Sequence, residues 1–292
     1  MRLDPVIAVC GPIAALGLAV AASAGPADPV EAPPGEMPFG VYDPDGALAD
    51  DPEVSIEHLF LPWEDVYLPS LIDADAYARA RGRSVLATIE PWTWNRSERS
   101  TPGMLQEGIA SGEYDSYMAS ICAVLNLFES PVTVRWAQEM EDASGQFIWA
   151  GWDPGTYKAA YRRMVDICRE TAPEMAYMWS PLGDDYVDIV GLSVFGLQPW
   201  ETAILGEEQS FRSILAPRHA RVAPFGQPVV VAELGYSGRE DYVATWTSEV
   251  RQIFPEFPNL VAVIYFNQIE VYPWPDDYGL PDWKVGDRII AP

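Results

Sequence analysis

The chain has 292 residues, of which 49% are hydrophobic and 21% are charged, and its formal net charge is −25. A hydrophobic fraction this large can form a core, which excludes a wholly disordered acidic protein. Because 43 acidic residues face only 18 basic ones, nucleic acid and anionic membrane surfaces are disfavoured as partners, whereas a neutral ligand is compatible with the charge.

Residues 1–24 have the pattern of an export signal. Arg2 precedes a mostly apolar run over residues 5–22, and Ala22-Ser23-Ala24 is a small-x-small sequence typical of signal-peptidase sites. We therefore expect a mature chain that starts near Gly25 and is exported to the periplasm or out of the cell.

An uncleaved leader is the alternative, and it would anchor the protein in a membrane. Gly11, Pro12 and Gly17 make the apolar run a poor membrane span. Residues 25–37 are rich in Pro and acidic residues, which predicts a solvated, extended linker. The remaining residues, 38–292, suit one large domain.

Short apolar runs rich in Val, Ile and Tyr recur along this domain and predict eight strands. Strands that read as continuous apolar runs need cover on both faces, which is typical of parallel sheets in α/β proteins. The predicted strands cover residues 38–42, 56–61, 84–90, 132–137, 175–180, 187–194, 229–234 and 260–267.

Segments with helical periodicity separate most of these strands. Eight strands with intervening helices over this length predict an α/β fold of the (β/α)8 TIM-barrel type, formed as a single domain. A doubly wound open sheet is the second choice, but residues 40–46 lack the Gly-rich phosphate loop that usually follows its first strand. Helices are predicted over residues 66–82, 112–128, 153–168, 210–220 and 239–254.

Cys122 and Cys168 each lie on the apolar face of a predicted helix. In an oxidising compartment they could form a disulfide, or they could stay two buried thiols that behave as small hydrophobic groups. The chain has no Cys-x-x-Cys and only two His, so a zinc site lacks ligands. No metal or cofactor is expected.

The chemistry of a barrel is placed where its strands end, so the strand ends are the candidates for the site. Glu139 follows the fourth predicted strand and Glu233 ends the seventh, where a buried carboxylate is costly unless it is paired or used. Two carboxylates that face each other across the barrel mouth meet the needs of glycoside hydrolysis, as an acid and a nucleophile or base. The structural alternative, an ion pair or a backbone contact at the rim, is favoured for any one such Glu alone, Glu90 included. Other strand-end candidates are Tyr42, Asp43, Trp63, Glu64, Ser180, Asn267 and Gln268.

The stretch 134–140, Val-Arg-Trp-Ala-Gln-Glu-Met, and the segment 145–151 resemble the fourth-strand motif of glycoside hydrolase family 26, a β-mannanase family of retaining (β/α)8 barrels. In that family an Arg lies four residues before the acid/base Glu, which Arg135 and Glu139 match. Glu233, within Val-Val-Val-Ala-Glu-Leu-Gly, matches the nucleophile. The resemblance implies a retaining reaction, for which the two carboxyl groups lie about 5 to 5.5 Å apart.

The resemblance covers most of the chain from about residue 36 to residue 290, and three positions depart from the family pattern. The His that usually precedes the acid/base is Gln138, which can bind a sugar hydroxyl but cannot carry a proton. The Trp expected soon after the acid/base is Phe147. The Tyr that usually hydrogen-bonds the nucleophile is Phe195, so Tyr236 or Tyr265 would have to replace its hydroxyl.

Tryptophans crowd the predicted strand-end loops, where flat apolar faces can stack on sugar rings. The alternative is that they cover hydrophobic patches. Trp274 or Trp283, after the eighth strand, is predicted to form the floor of the subsite next to the scissile bond. The tryptophans at this face are Trp92, Trp94, Trp149, Trp152, Trp200, Trp274 and Trp283.

The sequence thus predicts an exported, monomeric, retaining glycoside hydrolase that cleaves internal β-linkages of a neutral polysaccharide, β-mannan or β-glucan. Glu139 would be the acid/base and Glu233 the nucleophile, with Arg135 holding Glu233 or the sugar. The alternative is a carbohydrate-binding barrel with weakened catalysis, because of Gln138 and Phe195. The predicted substrate-binding residues are Arg135, Gln138, Trp92, Phe147, Trp149, Phe195, Trp274 and Trp283.

Overall fold

The computed structural model describes residues 30–179 and 187–291, and it contains a closed barrel of eight parallel strands. Each strand pairs with the next in the chain, and the eighth pairs with the first. The prediction of a (β/α)8 barrel is confirmed, with the strands placed to within three residues. The strands are β1 (Phe39–Tyr42), β2 (Val54–Pro62), β3 (Ser84–Glu90), β4 (Val132–Trp136), β5 (Ala176–Trp179), β6 (Ile189–Leu197), β7 (Val229–Ser237) and β8 (Leu260–Phe266).

Helices cover the outside of the barrel, and all five predicted helices are present. A further helix, α2, was not predicted, although Thr101 caps its first turn and Gly112 ends it in the left-handed region. The helices are α1 (Leu68–Ala80), α2 (Pro102–Ser111), α3 (Asp115–Leu125), α4 (Pro154–Thr171), α5 (Gln198–Trp200), α6 (Phe211–Val222) and α7 (Glu240–Glu249). Single turns of other helix types lie at Arg96–Glu98, Glu201–Leu205 and Ala223–Phe225.

The core is divided by the barrel wall. β7 is buried at every position, and its side chains point either to the interior or to the surrounding helices. A small cluster that contains only strand residues, among them Leu86, Val230 and Ile264, fills the interior. A much larger cluster joins the outward faces of the strands to the helices, and Val229 and Val231 belong to it.

The segment 30–37, part of the predicted linker, is bound to the barrel. Arg251 donates hydrogen bonds to the carbonyl oxygens of Pro33 and Met37, at 2.7 and 2.9 Å. Met37 is buried, and the backbone N–H of Ala32 binds Asp51. The barrel domain therefore begins before residue 38.

The predicted export signal over residues 1–24 and the predicted strand-end residue Ser180 fall outside the described residues. None of the helices in the ranges 30–179 and 187–291 is both long enough and apolar enough to cross a bilayer.

A disulfide joins Cys122 on α3 to Cys168 on α4, with their Cα atoms 5.3 Å apart. Of the two states that the sequence left open, the structure has the disulfide. It links two neighbouring helices that pack against the same side of the barrel.

Breaking this disulfide should lower the free energy of unfolding by about 4 kcal/mol, because it closes a loop of 46 residues and so restricts the unfolded chain. Urea unfolding of Cys122→Ala, Cys168→Ala and the double variant measures the change. Either single substitution already breaks the bond, so all three should be destabilised to a similar extent. Single losses that simply add in the double variant would contradict a bonded pair.

Candidate active site

Arg135 and Glu233 form a buried ion pair inside the barrel mouth. Nη1 of Arg135, a fully buried residue of β4, donates to Oε1 of Glu233 on β7 at 2.5 Å. β4 and β7 are not adjacent in the sheet, so the pair crosses the barrel interior. Of the two partners predicted for Arg135, Glu233 is in contact with its guanidinium group in the structure.

An irregularity in β7 turns Glu233 toward the interior. Val229 and Val231 point outward, and strict alternation would send residue 233 outward as well. The register against β8 shifts between Val231 and Leu234, and Leu234 is again outward-facing. One extra residue in the strand therefore leaves Glu233 beside Ala232 on the inner side, as β-bulges do near active sites.

Glu139 lies in a strained turn directly after β4. The φ angles of Ala137 and Glu139 are +48° and +53°, in the left-handed region that residues with a side chain rarely adopt. Two aromatic side chains hold this turn from behind. The hydroxyl of Tyr157 donates to the carbonyl oxygen of Ala137, and Nε1 of Trp149 donates to that of Gln138, both at 2.6 Å.

The turn places the Glu139 carboxyl near Glu233. Burial raises the pKa of Glu139 strongly, and the negative charge of Glu233 raises it further. A carboxyl group in this environment keeps its proton at neutral pH. Glu139 is thereby suited to act as an acid, in the manner of a carboxyl group placed in an apolar pocket.

Glu90, which the sequence favoured as a structural residue, is a third buried carboxyl group of the site. Its Oε1 accepts a hydrogen bond from Nε2 of Gln138 at 2.8 Å, and its Oε2 accepts one from Nε1 of Trp92 at 3.2 Å. Burial is the main reason that the pKa of Glu90 is raised to about 7. Gln138 is thus committed to Glu90 through its amide nitrogen, and its oxygen has no partner among the described residues.

Two cavities meet at these carboxylates. The aromatic cavity, of about 680 Å³, is bordered by Trp92, Phe147 and Glu233. The arginine cavity, of about 640 Å³, is bordered by Arg218 and Trp274. Four residues border both cavities and mark where they join: Glu139, Gln146, Phe195 and Glu270.

Some of the tryptophans predicted to form a sugar platform line a cavity, and others are buried behind the residues that do. Trp92 lines the aromatic cavity and Trp274 the arginine cavity. Trp149 and Trp283 are fully buried and line neither cavity, so the prediction that they contact the sugar is wrong. Trp149 packs under Trp92 and Phe147, with ring centroids 4.6 and 4.9 Å away.

The remaining predicted tryptophans also differ from a continuous platform. Trp152 is buried and donates to the carbonyl oxygen of Ile148. Trp94 is exposed at the edge of the aromatic cavity, and Trp200 borders the arginine cavity.

Phe195 packs tightly against β7 at the place where the two cavities join. Its ring leaves no room for a side chain at Gly235, because a Cβ there would lie 2.7 Å from Cδ1 of Phe195. The two tyrosines proposed to replace its missing hydroxyl bind elsewhere. Tyr236 bonds Thr247, and Tyr265 donates to the carbonyl oxygen of Trp283.

Glu270 is a functional candidate that the sequence analysis missed, because it follows β8 in an irregular loop. Nε1 of Trp283 donates to its Oε2 at 3.2 Å, and the N–H of Val271 donates to its Oε1 at 2.9 Å. Burial raises its pKa, and the charge of Glu233 adds to that effect. Trp283 therefore acts by holding a carboxyl group at the mouth rather than by stacking on a ligand.

Carboxylates dominate the site, but they are not arranged as metal ligands. Across residues 30–179 and 187–291, no group of three or more His, Cys, Asp or Glu side chains is placed to hold a metal ion. The arrangement suits proton transfer and nucleophilic attack by carboxyl groups.

Comparison with known proteins gives a partial sequence match. No family model matches the chain. The β-1,3-xylanase TXYA of a Vibrio species is 31% identical over an alignment of 144 residues that covers 43% of this chain and 30% of that protein. This chain thus spans less than a third of the length of that relative.

Solved structures match over more of the chain. The modular endo-β-1,4-mannanase of Cellulomonas fimi aligns with a TM-score of 0.63 and 14% identity, over 83% of this chain and 68% of that one. The family 26 β-mannanase of Bacteroides ovatus aligns with a TM-score of 0.57 and 15% identity, over 79% of this chain and 80% of that one. The predicted likeness to family 26 is confirmed for the fold.

Replacing Arg135 by Met should lower the free energy of unfolding by about 3–5 kcal/mol at neutral pH, because Glu233 is left buried without its cation. Urea unfolding measures this loss. The double variant Arg135→Met/Glu233→Met, which removes both charges, should recover most of it. A double variant as unstable as Arg135→Met alone would contradict the ion pair as the cause.

The raised pKa of Glu90 predicts a pH-dependent effect on stability. Between its ordinary value of 4.5 and about 7, Glu90 keeps its proton when folded and loses it when unfolded. Its contribution to stability is therefore complete below about 4.5 and is lost as the pH rises through 7. Glu90→Gln stays neutral, so its free energy of unfolding should rise by about 3 kcal/mol relative to wild type over this range.

The measurement is urea unfolding of both proteins from pH 4 to pH 8. Glu129→Gln, which removes an exposed carboxylate that is paired with Arg79 at the surface, is the control. A flat difference between Glu90→Gln and the wild type would show that the Glu90 carboxyl group titrates normally.

Proposed function

We propose that the chain is a divergent member of glycoside hydrolase family 26, and that it cleaves internal β-glycosidic bonds of a neutral polysaccharide with retention of configuration. The observation that carries this proposal is the pair of carboxyl groups formed by Glu139, at the junction of the two cavities, and Glu233, in the aromatic cavity. Glu233 is held by Arg135, and Glu139 stands beside it with a raised pKa.

In the first step, Glu233 attacks the anomeric carbon as a carboxylate, and the bond from that carbon to the leaving oxygen breaks. Glu139 gives its proton to the leaving oxygen. The products are a glycosyl ester on Glu233 and a free sugar hydroxyl, and Glu139 is left as a carboxylate.

In the second step, Glu139 works as a base. The ester has removed the negative charge of Glu233, so one of the causes that raise the pKa of Glu139 is gone. Glu139 then takes a proton from a water molecule as the oxygen of that water attacks the anomeric carbon. The bond to Glu233 breaks, and both carboxyl groups return to their starting states.

The residues that line the two cavities support one direction for the bound polysaccharide. Glu233 borders the aromatic cavity but not the arginine cavity, whereas Glu139 borders both. The sugar attacked by Glu233 therefore lies in the aromatic cavity, and the leaving part of the chain lies in the arginine cavity. Two joined cavities of similar size suit cleavage within a chain.

The substrate class follows from the walls. Trp92 and Phe147 offer flat faces in the aromatic cavity, and Glu90 with Gln138 offers acceptors for sugar hydroxyls. An acidic mouth disfavours polyuronic acids. β-Mannan and β-glucan remain the proposed substrates, and the partial match to a β-1,3-xylanase adds β-1,3-xylan to the panel. Export of the enzyme, which long polymers require, is part of the proposal.

Activity of the mature chain on β-mannan, mixed-linkage β-glucan, cellulose and β-1,3-xylan tests the proposal. Glu139→Gln and Glu233→Gln should each lower the rate at least about 10²- to 10⁴-fold, because each removes a reacting carboxyl group. The anomeric configuration of the first product, followed by NMR, should be that of the substrate. Glu129→Gln is again the surface control.

Azide distinguishes the two roles. With an aryl glycoside that needs little acid help, Glu139→Ala should be rescued by azide and give the β-glycosyl azide through the ester on Glu233. Glu233→Ala should instead give the α-glycosyl azide by direct attack. Binding of glycans without turnover by the wild type would favour the carbohydrate-binding barrel instead.

A further inference from the structure

The arginine cavity contains a cation that is not used by the chemistry described above. Arg218, on α6, borders the cavity close to Glu139, and the two side chains attract each other electrostatically. Nη1 of Arg218 is buried and has no hydrogen-bond partner in the described ranges. A guanidinium nitrogen left in this state is costly, so its presence at a cavity wall points to a ligand.

The neighbouring Arg221, in contrast to Arg218, is paired with a carboxylate. Arg221, one turn further along α6, borders the same cavity, but its Nη1 is paired with Glu141 at 2.9 Å. Burial lowers the pKa of Arg218, and the charge of Arg221 lowers it further, while Glu139 opposes them. Among the described residues that line this cavity, Arg218 is thus the cation available to a ligand.

A second unpaired donor lies on the facing wall. Nε1 of Trp274, in the loop after β8, is buried without a hydrogen-bond partner in the described part of the chain, while its indole ring borders the cavity. The neighbouring indole of Trp200, in contrast, donates to Asp276 at 2.8 Å. A ligand that supplies oxygen acceptors on two sides would match Arg218 and Trp274 together after small side-chain rotations.

The rest of the lining selects a neutral ligand over an anion. Glu141 and Asp142 also border this cavity, and their negative charges offset those of Arg218 and Arg221, so the lining has no surplus positive charge that would attract a carboxylate or phosphate. Hydroxyl and ring oxygens of a sugar accept hydrogen bonds without bringing negative charge. The apolar faces of Trp274 and Pro217 would cover its C–H groups.

We propose that the arginine cavity is the binding site for the leaving-group sugars and that Arg218, together with Trp274, is the residue pair that selects them. This inference rests on the proposed function for the direction of the chain. Arg218 would be a specificity-determining residue, with its guanidinium donating to a sugar oxygen one unit or more beyond the bond that is cleaved.

The test compares Arg218→Met with Arg212→Met on two kinds of substrate. Arg212 lies on the same helix, but it is exposed and paired with Glu256 away from the cavity. The first substrate is an oligosaccharide of the polymer that the wild type cleaves best. The second is an aryl glycoside of the same sugar, whose leaving group presents no sugar to the arginine cavity.

Arg218→Met should lower kcat/KM on the oligosaccharide about 10- to 100-fold, as expected for loss of a hydrogen bond from a charged donor. The loss on the aryl glycoside should be at least tenfold smaller, and Arg212→Met should match the wild type on both. Equal losses on the two substrates, or no loss on the oligosaccharide, would overturn the inference.

Binding separates this inference from the proposed function. Calorimetric titration of Glu139→Gln with mannan, β-glucan and β-1,3-xylan oligosaccharides, with and without Arg218→Met, needs no turnover. If the wild type binds but does not hydrolyse, and Arg218→Met still weakens binding, the proposed function fails and the sugar site stands. Absence of oligosaccharide binding, or binding unaffected by Arg218→Met, overturns the sugar site.

Discussion

The buried ion pair between Arg135 and Glu233 is the constraint on which the barrel mouth depends. Two charges taken out of water are tolerated only when each has its partner at hydrogen-bond distance, since removal of one leaves the other uncompensated. The pair spans strands that are not neighbours, so it fixes the inner side of the barrel at two places. The extra residue in β7 is the local adjustment that brings Glu233 into reach. The position of the Glu233 carboxylate then determines how strongly its charge raises the pKa of each neighbouring carboxyl group.

The charge of Glu233 raises the pKa of Glu139. Glu139 enters the mouth from a turn with two left-handed residues, a conformation that costs free energy and persists because other contacts hold it. Trp149 and Tyr157 provide those contacts through hydrogen bonds to the carbonyl oxygens of the turn. An aromatic side chain expected to stack on sugar therefore serves to place an acid. Trp283 likewise holds Glu270, by donating directly to its carboxyl group.

The sequence was sufficient for the architecture and for the two central carboxylates. Apolar runs of strand length predict β1 to β8, and a Glu at the end of such a run is conspicuous because burial there is costly. The apolar pattern of β7 could not predict that Glu233 points inward. One inserted residue reverses which side chains of a strand face the interior, without changing the composition of the strand. The sequence pattern also could not predict that Trp149 supports other side chains or that Arg218 has an unpaired nitrogen. Whether a Trp is a wall or a support, and whether an Arg is paired, depends on neighbours distant in the chain.

Four carboxyl groups share the barrel mouth, and Glu233 is the one to which the buried Arg135 donates a hydrogen bond. Burial raises the pKa of Glu90, Glu139 and Glu270, and the charge of Glu233 raises each of them further. A negative charge on the carboxylate that Arg135 holds thus favours the protonated form of each of its three neighbours. Formation of a glycosyl ester would remove that charge and thereby ease ionisation of all three neighbours at once. Glu139 and Glu270 both border the two cavities, and Glu139 is the one to which the proposed function assigns the proton that moves to and from the scissile oxygen.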